Sequence, residues 1–276
     1  MTSTRTDRWL RLDGTTNTRD LGGLPTTDGG VTLPGRILRS DNLQTLSADD
    51  VRRLVDEVGL RDVIDLRTTG EILLEGRGPL RELPELNHRH FSLIPERGRH
   101  TDVFAAEEED VPELPADWTE ALLPRQTAEG DHAEPPAVRS YLGYLRDRSE
   151  AVVGALRALA EGGPGAAVVH CAAGKDRTGV VVALALAVAG VPHEEIVADY
   201  AMTADIVEAL VAKLKSSPTY AEDMERRDIA SHTPRATTMD RLLTLLDERH
   251  GGAVGWLEAH GFGAEEQAAL RARLRD

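Results

Sequence analysis

The chain has 276 residues, and its 47 acidic and 32 basic side chains give a formal net charge of −15 at pH 7. This charge argues against a nucleic-acid binder, because phosphate backbones attract clustered Lys and Arg. The sequence shows neither a signal peptide nor an apolar run near the ~20 residues that span a bilayer. Its only cysteine can form neither an internal disulfide nor a thiolate-rich zinc site. We therefore expect a globular, cytoplasmic protein without integral membrane association.

The first half of the chain alternates between predicted strands and helices. The stretch GRILRSDNL predicts a short strand, and a capping-box pattern at Ser47 and Asp50 predicts a helix that ends at Gly59. Residues 62–67, DVIDLR, predict a second strand, because β-branched residues alternate over a strand length. Residues 97–136 are acidic and interrupted by prolines, which predicts an irregular insertion.

The second half is predominantly helical. Residues 138–162 predict one long amphipathic helix, and residues 166–170 predict a short buried strand. Residues 178–190 are apolar on every side of a helix, which is typical of a buried one. Further helices are predicted over residues 239–252 and 265–275. This order of elements predicts an α/β fold with a helical C-terminal half.

The single cysteine lies in residues 168–180, VVHCAAGKDRTGV, a pattern of strand, glycine-containing loop and helix start. Backbone N–H groups of such a loop form an anion-binding nest, and the helix dipole adds positive potential. The same environment favours a thiolate. Arg177 supplies a planar fork that binds two phosphate oxygens together. The layout therefore predicts Cys171 as a nucleophile that attacks phosphorus in line and forms a cysteinyl-phosphate.

A structural cysteine is the alternative interpretation of this segment. A lone buried cysteine commonly packs as a small apolar side chain. The spacing Cys-x5-Arg is weak by itself, because Lys and Arg make up 32 of the 276 residues. The context is stronger, with His170 before the cysteine, Gly174 at the bend and Lys-Asp-Arg-Thr-Gly after it. This combination favours phosphate chemistry over a structural role.

These residues also carry a family resemblance. HCAAGKDRTG resembles the signature loop of cysteine-dependent tyrosine and dual-specificity phosphatases, in particular the bacterial tyrosine/lipid phosphatase family. NTRDLGGL at residues 17–24 is similar to that family's N-terminal motif, with Thr18 in place of an aromatic residue. VIDLRTTGE at residues 63–71 and VADYAMT at residues 197–203 also match. The match covers most of the chain, and the acidic insertion fits it least.

The resemblance implies a single phosphatase domain over residues 1–276. Its expected fold is protein-tyrosine-phosphatase-like, with a mostly parallel central sheet flanked by helices. By the same resemblance, residues 205–232 form a helical lid over the pocket, whereas their charged and poorly patterned sequence also fits an ordinary solvent-facing helix pair.

The substrate phosphate is expected to bind seven consecutive residues of the phosphate-binding loop (P-loop): Ala172, Ala173, Gly174, Lys175, Asp176, Arg177 and Thr178. In phosphoinositide phosphatases, a lysine at the place of Lys175 contacts additional phosphates, although a solvated surface lysine is an equal alternative. Thr178 is expected to hydrogen-bond the thiolate or to cap the helix. Asn17, Arg19 and Asp20 either support the site or form a turn before two glycines.

Two aspartates are the first candidates for the acid that protonates the leaving group. Asp65 lies at the carboxyl end of a predicted strand, where α/β active sites gather, and the resemblance points to the same position. Asp176 lies inside the loop and serves either as acid or base or as an orienting group for Arg177 or water. Structural pairing of Asp65 with an arginine remains an alternative. Related enzymes carry the acid on a mobile loop, where Glu96, Asp102 and Asp117 are candidates.

The predicted activity is the hydrolysis of phosphotyrosine monoesters, and also of phosphoserine, phosphothreonine or phosphoinositide monoesters. The partner is therefore a phosphorylated protein or a phosphoinositide, and the mechanism requires no metal and no cofactor. A sulfurtransferase also uses one cysteine on such a loop, but Arg177 and Thr178 argue against it. A catalytically inactive phosphate-binding module is disfavoured, because both Cys171 and Arg177 are present.

Overall fold

All strands of this computed structural model lie in one sheet, and the structure describes residues 8–95, 133–226 and 228–275. The strands in chain order are β1 (Arg19–Asp20), β2 (Ile37–Ser40), β3 (Leu60–Asp65), β4 (Asn87–His90) and β5 (Ala166–His170). Their order in the sheet is β1-β2-β5-β3-β4, with β1 antiparallel to β2 and every other neighbouring pair parallel. The mostly parallel central sheet is therefore confirmed.

Helices surround this sheet and make up most of the C-terminal half. In chain order they are α1 (Ala48–Arg52), α2 (Thr69–Glu75), α3 (Pro136–Asp147), α4 (Ser149–Glu161), α5 (Asp176–Val188), α6 (His193–Ala201), α7 (Val207–Lys215), α8 (Ala221–Arg226), α9 (Ile229–His232), α10 (Ala236–His250), α11 (Ala253–Ala259) and α12 (Ala264–Arg275). A 3-10 helix, Met202–Ile206, joins α6 to α7. Within the described ranges, no helix combines the length and apolar composition needed to cross a bilayer.

Both faces of the sheet are buried. In the central strand β5, Ala167 and Val169 pack into a large apolar cluster that includes α4 and α5. Val168 points to the opposite face and packs in a second cluster with Leu38 and Val63. Burial on two faces explains why this strand is a continuous apolar run rather than an alternating one.

Two helix predictions differ from the structure in their details. The capping box of Ser47 and Asp50 is confirmed, but residues 53–57 form a π-helical turn instead of continuing α1. The helix predicted over residues 138–162 is two helices, α3 and α4, which are separated at Arg148 with φ −135° and ψ 36°. Arg148 Nε donates a hydrogen bond to the Ser92 carbonyl at 2.9 Å. No glycine or proline marks this break, so local sequence did not reveal it.

The insertion predicted over residues 97–136 lies outside the described residues except for its last four positions. The predicted strands and the buried helix that follows β5 are all present; β5 has the predicted bounds, and the boundaries of the others are shifted by a few residues.

The sheet brings three strand ends to one edge. In its register, Ser40 of β2 and Asp65 of β3 both lie beside His170 of β5. The next residues along the chain, including Cys171, therefore emerge at this edge, as the carboxyl ends of parallel strands do in α/β enzymes.

Candidate active site

The P-loop joins β5 to α5, and three of its carbonyl oxygens are bound from outside the loop. The donors are Asn42 N–H to Ala172 O at 3.0 Å, Asn17 Nδ2 to Ala173 O at 2.9 Å and Arg39 Nη2 to Gly174 O at 2.7 Å. In a trans peptide, the N–H points away from the C=O of the same unit. The following N–H groups therefore point away from these donors, which is the arrangement that anion-binding nests have.

Gly174 is required by the geometry of this bend. Its φ is +63°, a conformation that L side chains rarely adopt. A Cβ at this position would lie 2.4 Å from the backbone oxygen of Ser40. Any larger residue would therefore displace the loop from β2.

Cys171 lies at the base of the loop with only 2% of its surface exposed, and its thiol is free. Burial raises the pKa values of Tyr144 and Tyr220, and an electrostatic interaction with Cys171 adds to both shifts. Two tyrosine rings therefore contribute to the surroundings of the thiol. Its environment is enclosed rather than open to solvent.

Arg177 is held by a carboxylate that sequence analysis did not single out. Its Nη1 and Nη2 bind the two oxygens of the fully buried Glu71 at 2.6 and 2.8 Å. Although burial lowers the pKa of Arg177, the charge of Glu71 raises it well above its ordinary value. Tyr220 completes the group, because its hydroxyl accepts from Arg177 Nη2 at 3.0 Å and donates to Glu71.

A capping box directs Glu71 towards Arg177. At the start of α2, Glu71 N–H donates to Thr68 Oγ1, and the Glu71 carboxylate accepts from the Thr68 N–H at 2.7 Å. The Thr-x-x-Glu spacing in DLRTTGE is the sequence signature of this motif. The spacing therefore predicts how the Glu71 side chain is oriented, but it does not predict that Glu71 binds Arg177.

Asp176 opens α5 and keeps its side chain 35% exposed. Tyr141 donates a hydrogen bond to Asp176 Oδ1 at 2.5 Å, and the hydroxyls of Tyr141 and Tyr200 lie 2.7 Å apart. Lys175 Nζ lies 3.7 Å from the other Asp176 oxygen and donates to the His232 carbonyl at 2.7 Å. Asp176 is thus fixed on one oxygen while its other oxygen faces a lysine.

Asp65 is engaged by an arginine two residues away. Arg67 donates from Nη2 to Oδ2 at 2.6 Å and from Nε to Oδ1 at 2.9 Å, and its backbone N–H also binds Oδ1. Burial alone would raise the pKa of Asp65, but the charge of Arg67 holds that pKa well below its usual range. The carboxyl group is therefore ionised at neutral pH.

His170 and Thr178 flank the loop as buried polar residues. Burial lowers the pKa of His170 to about 4, and its Nε2 lies 3.7 Å from Asp65 Oδ2. The Thr178 hydroxyl is buried and has no hydrogen-bond partner among the described residues. It does not cap α5, whose N-cap residue is Lys175. The other candidate acids, Glu96, Asp102 and Asp117, lie outside the described residues.

Residues 205–232 pack directly on the P-loop. An apolar cluster joins Ala172 of the loop to side chains of α7 and α8: Val207, Leu210, Val211, Leu214 and Met224. Tyr220 reaches Arg177, and Lys213 Nζ donates to Asp41 Oδ2 at 2.9 Å. The segment therefore has an apolar face against the loop, as well as polar contacts on both sides of it.

The chain is similar in sequence to several known proteins. A model of the tyrosine phosphatase family matches residues 10–276. A triple specificity protein phosphatase, PtpB, from Mycobacterium tuberculosis is 29% identical over 91% of this chain and 93% of its own length. A putative tyrosine-protein phosphatase from Cupriavidus necator is 34% identical over 69% of this chain and 61% of that protein. A tyrosine-protein phosphatase from Nostoc commune is 36% identical, but the match covers 40% of this chain and 39% of the relative.

Proposed function

Because the chain belongs to the tyrosine phosphatase family, we propose that it hydrolyses phosphotyrosine monoesters through a cysteinyl-phosphate on Cys171. The chain is a protein-tyrosine phosphatase, and its substrate carries a phosphate group. The observation that supports the mechanism best is the P-loop itself, whose carbonyls at residues 172–174 are all bound from outside. A loop held in this way offers its N–H groups to a phosphate before the substrate arrives.

The proposed reaction has two displacements. In the first, the Cys171 thiolate attacks phosphorus, the P–S bond forms, and the P–O bond to the leaving group breaks. The departing oxygen takes a proton from a general acid. In the second, water attacks the cysteinyl-phosphate, gives a proton to a base, and releases inorganic phosphate and the thiolate. Arg177 binds two equatorial oxygens in both steps.

We assign proton transfer in the described part of the site to Asp176 rather than Asp65. The ion pair with Arg67 keeps the Asp65 carboxyl deprotonated near neutral pH, so it has no proton to donate. Asp176 is partly exposed, with one oxygen bound to Tyr141 and the other 3.7 Å from Lys175 Nζ, and in this proposal the second oxygen exchanges a proton with the leaving group or the water. In this proposal Asp65 orients Arg67 and also His170, the last residue of β5.

We also propose that residues 205–232 act as a lid that must move before a substrate enters. The low exposure of Cys171 and the hydroxyl of Tyr220 on Arg177 support this role. A substrate phosphate needs the same Arg177 face, so it would compete with Tyr220.

The test of the mechanism uses a small aryl phosphate in buffer with EDTA. Cys171→Ser should abolish turnover while retaining phosphate binding, because a hydroxyl is a far weaker nucleophile. Rapid quench of the unmutated protein should trap a phosphate adduct on Cys171, visible by mass spectrometry. Near-normal rates for Cys171→Ser would exclude the cysteine mechanism, and strict dependence on a divalent metal would indicate a different one.

The substrate range is tested by kcat/KM on phosphotyrosyl, phosphoseryl and phosphothreonyl peptides and on phosphoinositides. We expect phosphotyrosine to be preferred, with activity on the other classes; the name of one relative, a triple specificity protein phosphatase, supports a range wider than one class. Lys175 is the cation that additional phosphates of an inositol headgroup would meet after it leaves the His232 carbonyl. A lack of all phosphatase activity with intact phosphate binding would favour an inactive binding module.

A further inference from the structure

One buried carboxylate collects three arginines beside the P-loop. Asp199 of α6 binds Arg39 Nη1 at 2.6 Å, Arg8 Nη2 at 2.8 Å and Arg19 Nε at 3.3 Å. All four side chains are nearly inaccessible, with 7% or less of each exposed. The arginines lie at least 160 residues from Asp199 in the chain.

Two of these arginines continue to the backbone of the P-loop. Arg39 uses its second nitrogen, Nη2, to bind Gly174 O at 2.7 Å. Arg19 Nη1 donates to Asn17 Oδ1 at 2.5 Å, and Asn17 Nδ2 in turn binds Ala173 O at 2.9 Å. Two of the three externally bound carbonyls are therefore linked to Asp199, one through Arg39 and the other through Arg19 and Asn17.

Burying the charged groups of this cluster has a cost in folding free energy. Three guanidiniums and one carboxylate leave a surplus of buried positive charge, and burying charge is unfavourable. Apolar replacements of buried ion pairs are often as stable, so stability alone does not explain the cluster. The surplus lies next to the loop that is proposed to bind a phosphate dianion and a thiolate, both of which it stabilises.

We propose that Asp199 is a positioning residue for phosphoryl transfer. It fixes Arg39 directly, and Asn17 through Arg19, so that the N–H groups of the P-loop stay directed at the substrate phosphate. This proposal rests on the proposed function of the Cys171 loop, and it adds a contribution from α6 that the loop motif does not contain.

The first test compares Asp199→Asn with Asp240→Asn. Asp240 is an exposed carboxylate of α10 that does not contact the loop. It binds His193, which lies on α6 as Asp199 does. We expect Asp199→Asn to lower kcat/KM on an aryl phosphate by about tenfold or more, and to weaken inhibition by vanadate to a similar extent. Asp240→Asn should behave as the unmutated protein does.

A purely structural role would give a different result. Each variant is assayed at least ~10 °C below its own midpoint of thermal unfolding, since a folded population then dominates. If Asp199→Asn lowers only the unfolding temperature, and kcat/KM and vanadate inhibition are unchanged, the proposal is wrong. If the unmutated protein itself does not hydrolyse the aryl phosphate, the proposed function fails instead.

A double-mutant cycle tests whether Asp199 acts through Arg39. Arg39→Gln removes the bond to Gly174 O, one of the two contacts that Asp199 supports, so adding it to Asp199→Asn should cost little more than Asp199→Asn alone, within about threefold. Fully additive losses would overturn the proposal. Arg39→Lys is the substitute if Asp199→Asn does not fold: it keeps a cation for Asp199 but loses the fork that reaches both partners. Unmutated activity in Arg39→Lys would also overturn the proposal.

Discussion

The Arg177 guanidinium is oriented before any substrate binds, because both oxygens of Glu71 hold it. Such preorganisation is effective for phosphoryl transfer, in which catalysis consists mainly of positioning and charge stabilisation. It also means that an amino group at this position cannot reproduce the function of the planar fork.

We therefore expect Arg177→Lys to reduce kcat by roughly 10²–10³-fold, a loss comparable to removing a donor that stabilises transition-state charge. The matched control is Arg226→Lys, which makes the same change in an exposed pair with Glu222 on α8. Steady-state kinetics on an aryl phosphate measure both. A similar decrease in the two variants would show that the effect is not specific to the loop.

The two aspartates predict different dependence on the leaving group. If Asp176 donates the proton, Asp176→Asn should slow esters of poorly acidic alcohols most and affect activated aryl phosphates much less. Asp65→Asn should lower all rates by a similar factor. Measurement of kcat/KM over aryl phosphates of graded leaving-group pKa decides between them, with exposed Asp49→Asn as control. A selective loss on poor leaving groups in Asp65→Asn would return the acid role to Asp65.

At the scale of elements, the proposed lid of residues 205–232 and the P-loop share one apolar cluster. Leu210 of α7 is 2% exposed and packs with Ala172. Such a contact must break when the segment opens, so its loss should raise the population of the open form.

We expect Leu210→Ala to accelerate alkylation of Cys171 by iodoacetate by about tenfold or more, since removing a buried leucine side chain costs ~2 kcal/mol or more. Ile229→Ala is the control, because Ile229 lies in the same segment but is 42% exposed. The single cysteine makes the modified site unambiguous by mass spectrometry. Equal alkylation rates in all three proteins would contradict a lid that protects the thiol.

The elements were more predictable than the links between them. Strands β3 and β5 and the buried helix α5 follow from short apolar patterns, β2 follows from its place after a turn, and the start of α1 follows from its capping box. The break between α3 and α4 did not, because Arg148 binds a carbonyl 56 residues away in sequence. Local patterns describe local backbone, whereas such a contact depends on the finished fold.

The candidate site divides in the same way. Cys171 and Arg177 lie within one short motif, and its residue types and spacing predict a nucleophile and a phosphate-binding cation. Glu71 and Asp199 bind arginines 106 and 160 residues away, so no sequence window contains both partners. Their carboxylates appeared in matched motifs, but only the fold assigns them partners.

At the scale of the whole molecule, buried ion pairs link stability to pH. The pKa of Asp65 is depressed in the folded state and is about 3.9 in an unfolded chain. Its contribution is therefore complete above the unfolded pKa and is lost as pH falls towards the folded pKa. The depressed pKa of Asp199, which burial opposes and Arg19 and Arg39 cause, has the same sign.

Asp65→Asn should accordingly lower the free energy of unfolding by about 3 kcal/mol at pH 7, because it leaves Arg67 buried without its carboxylate. The difference between variant and unmutated protein should shrink as the pH is lowered below 4, where the unmutated carboxylate also loses its advantage. Urea unfolding at pH 7, 5 and 3 measures this. A constant difference across that range would contradict the ion-pair assignment.

Trp9 lies with its ring 5.0 Å from the Arg19 guanidinium, the same group that reaches Asn17 and the P-loop. An indole's emission responds to the electric field of a nearby charge. Occupation of the loop by an oxyanion adds negative charge near Arg19 and changes that field, so we expect Trp9 to act as a built-in optical reporter of occupancy. Vanadate titration should change the fluorescence of the unmutated protein, and Trp9→Phe should remove most of that change while Trp256→Phe leaves it. The protein would thus signal ligand binding without an added dye.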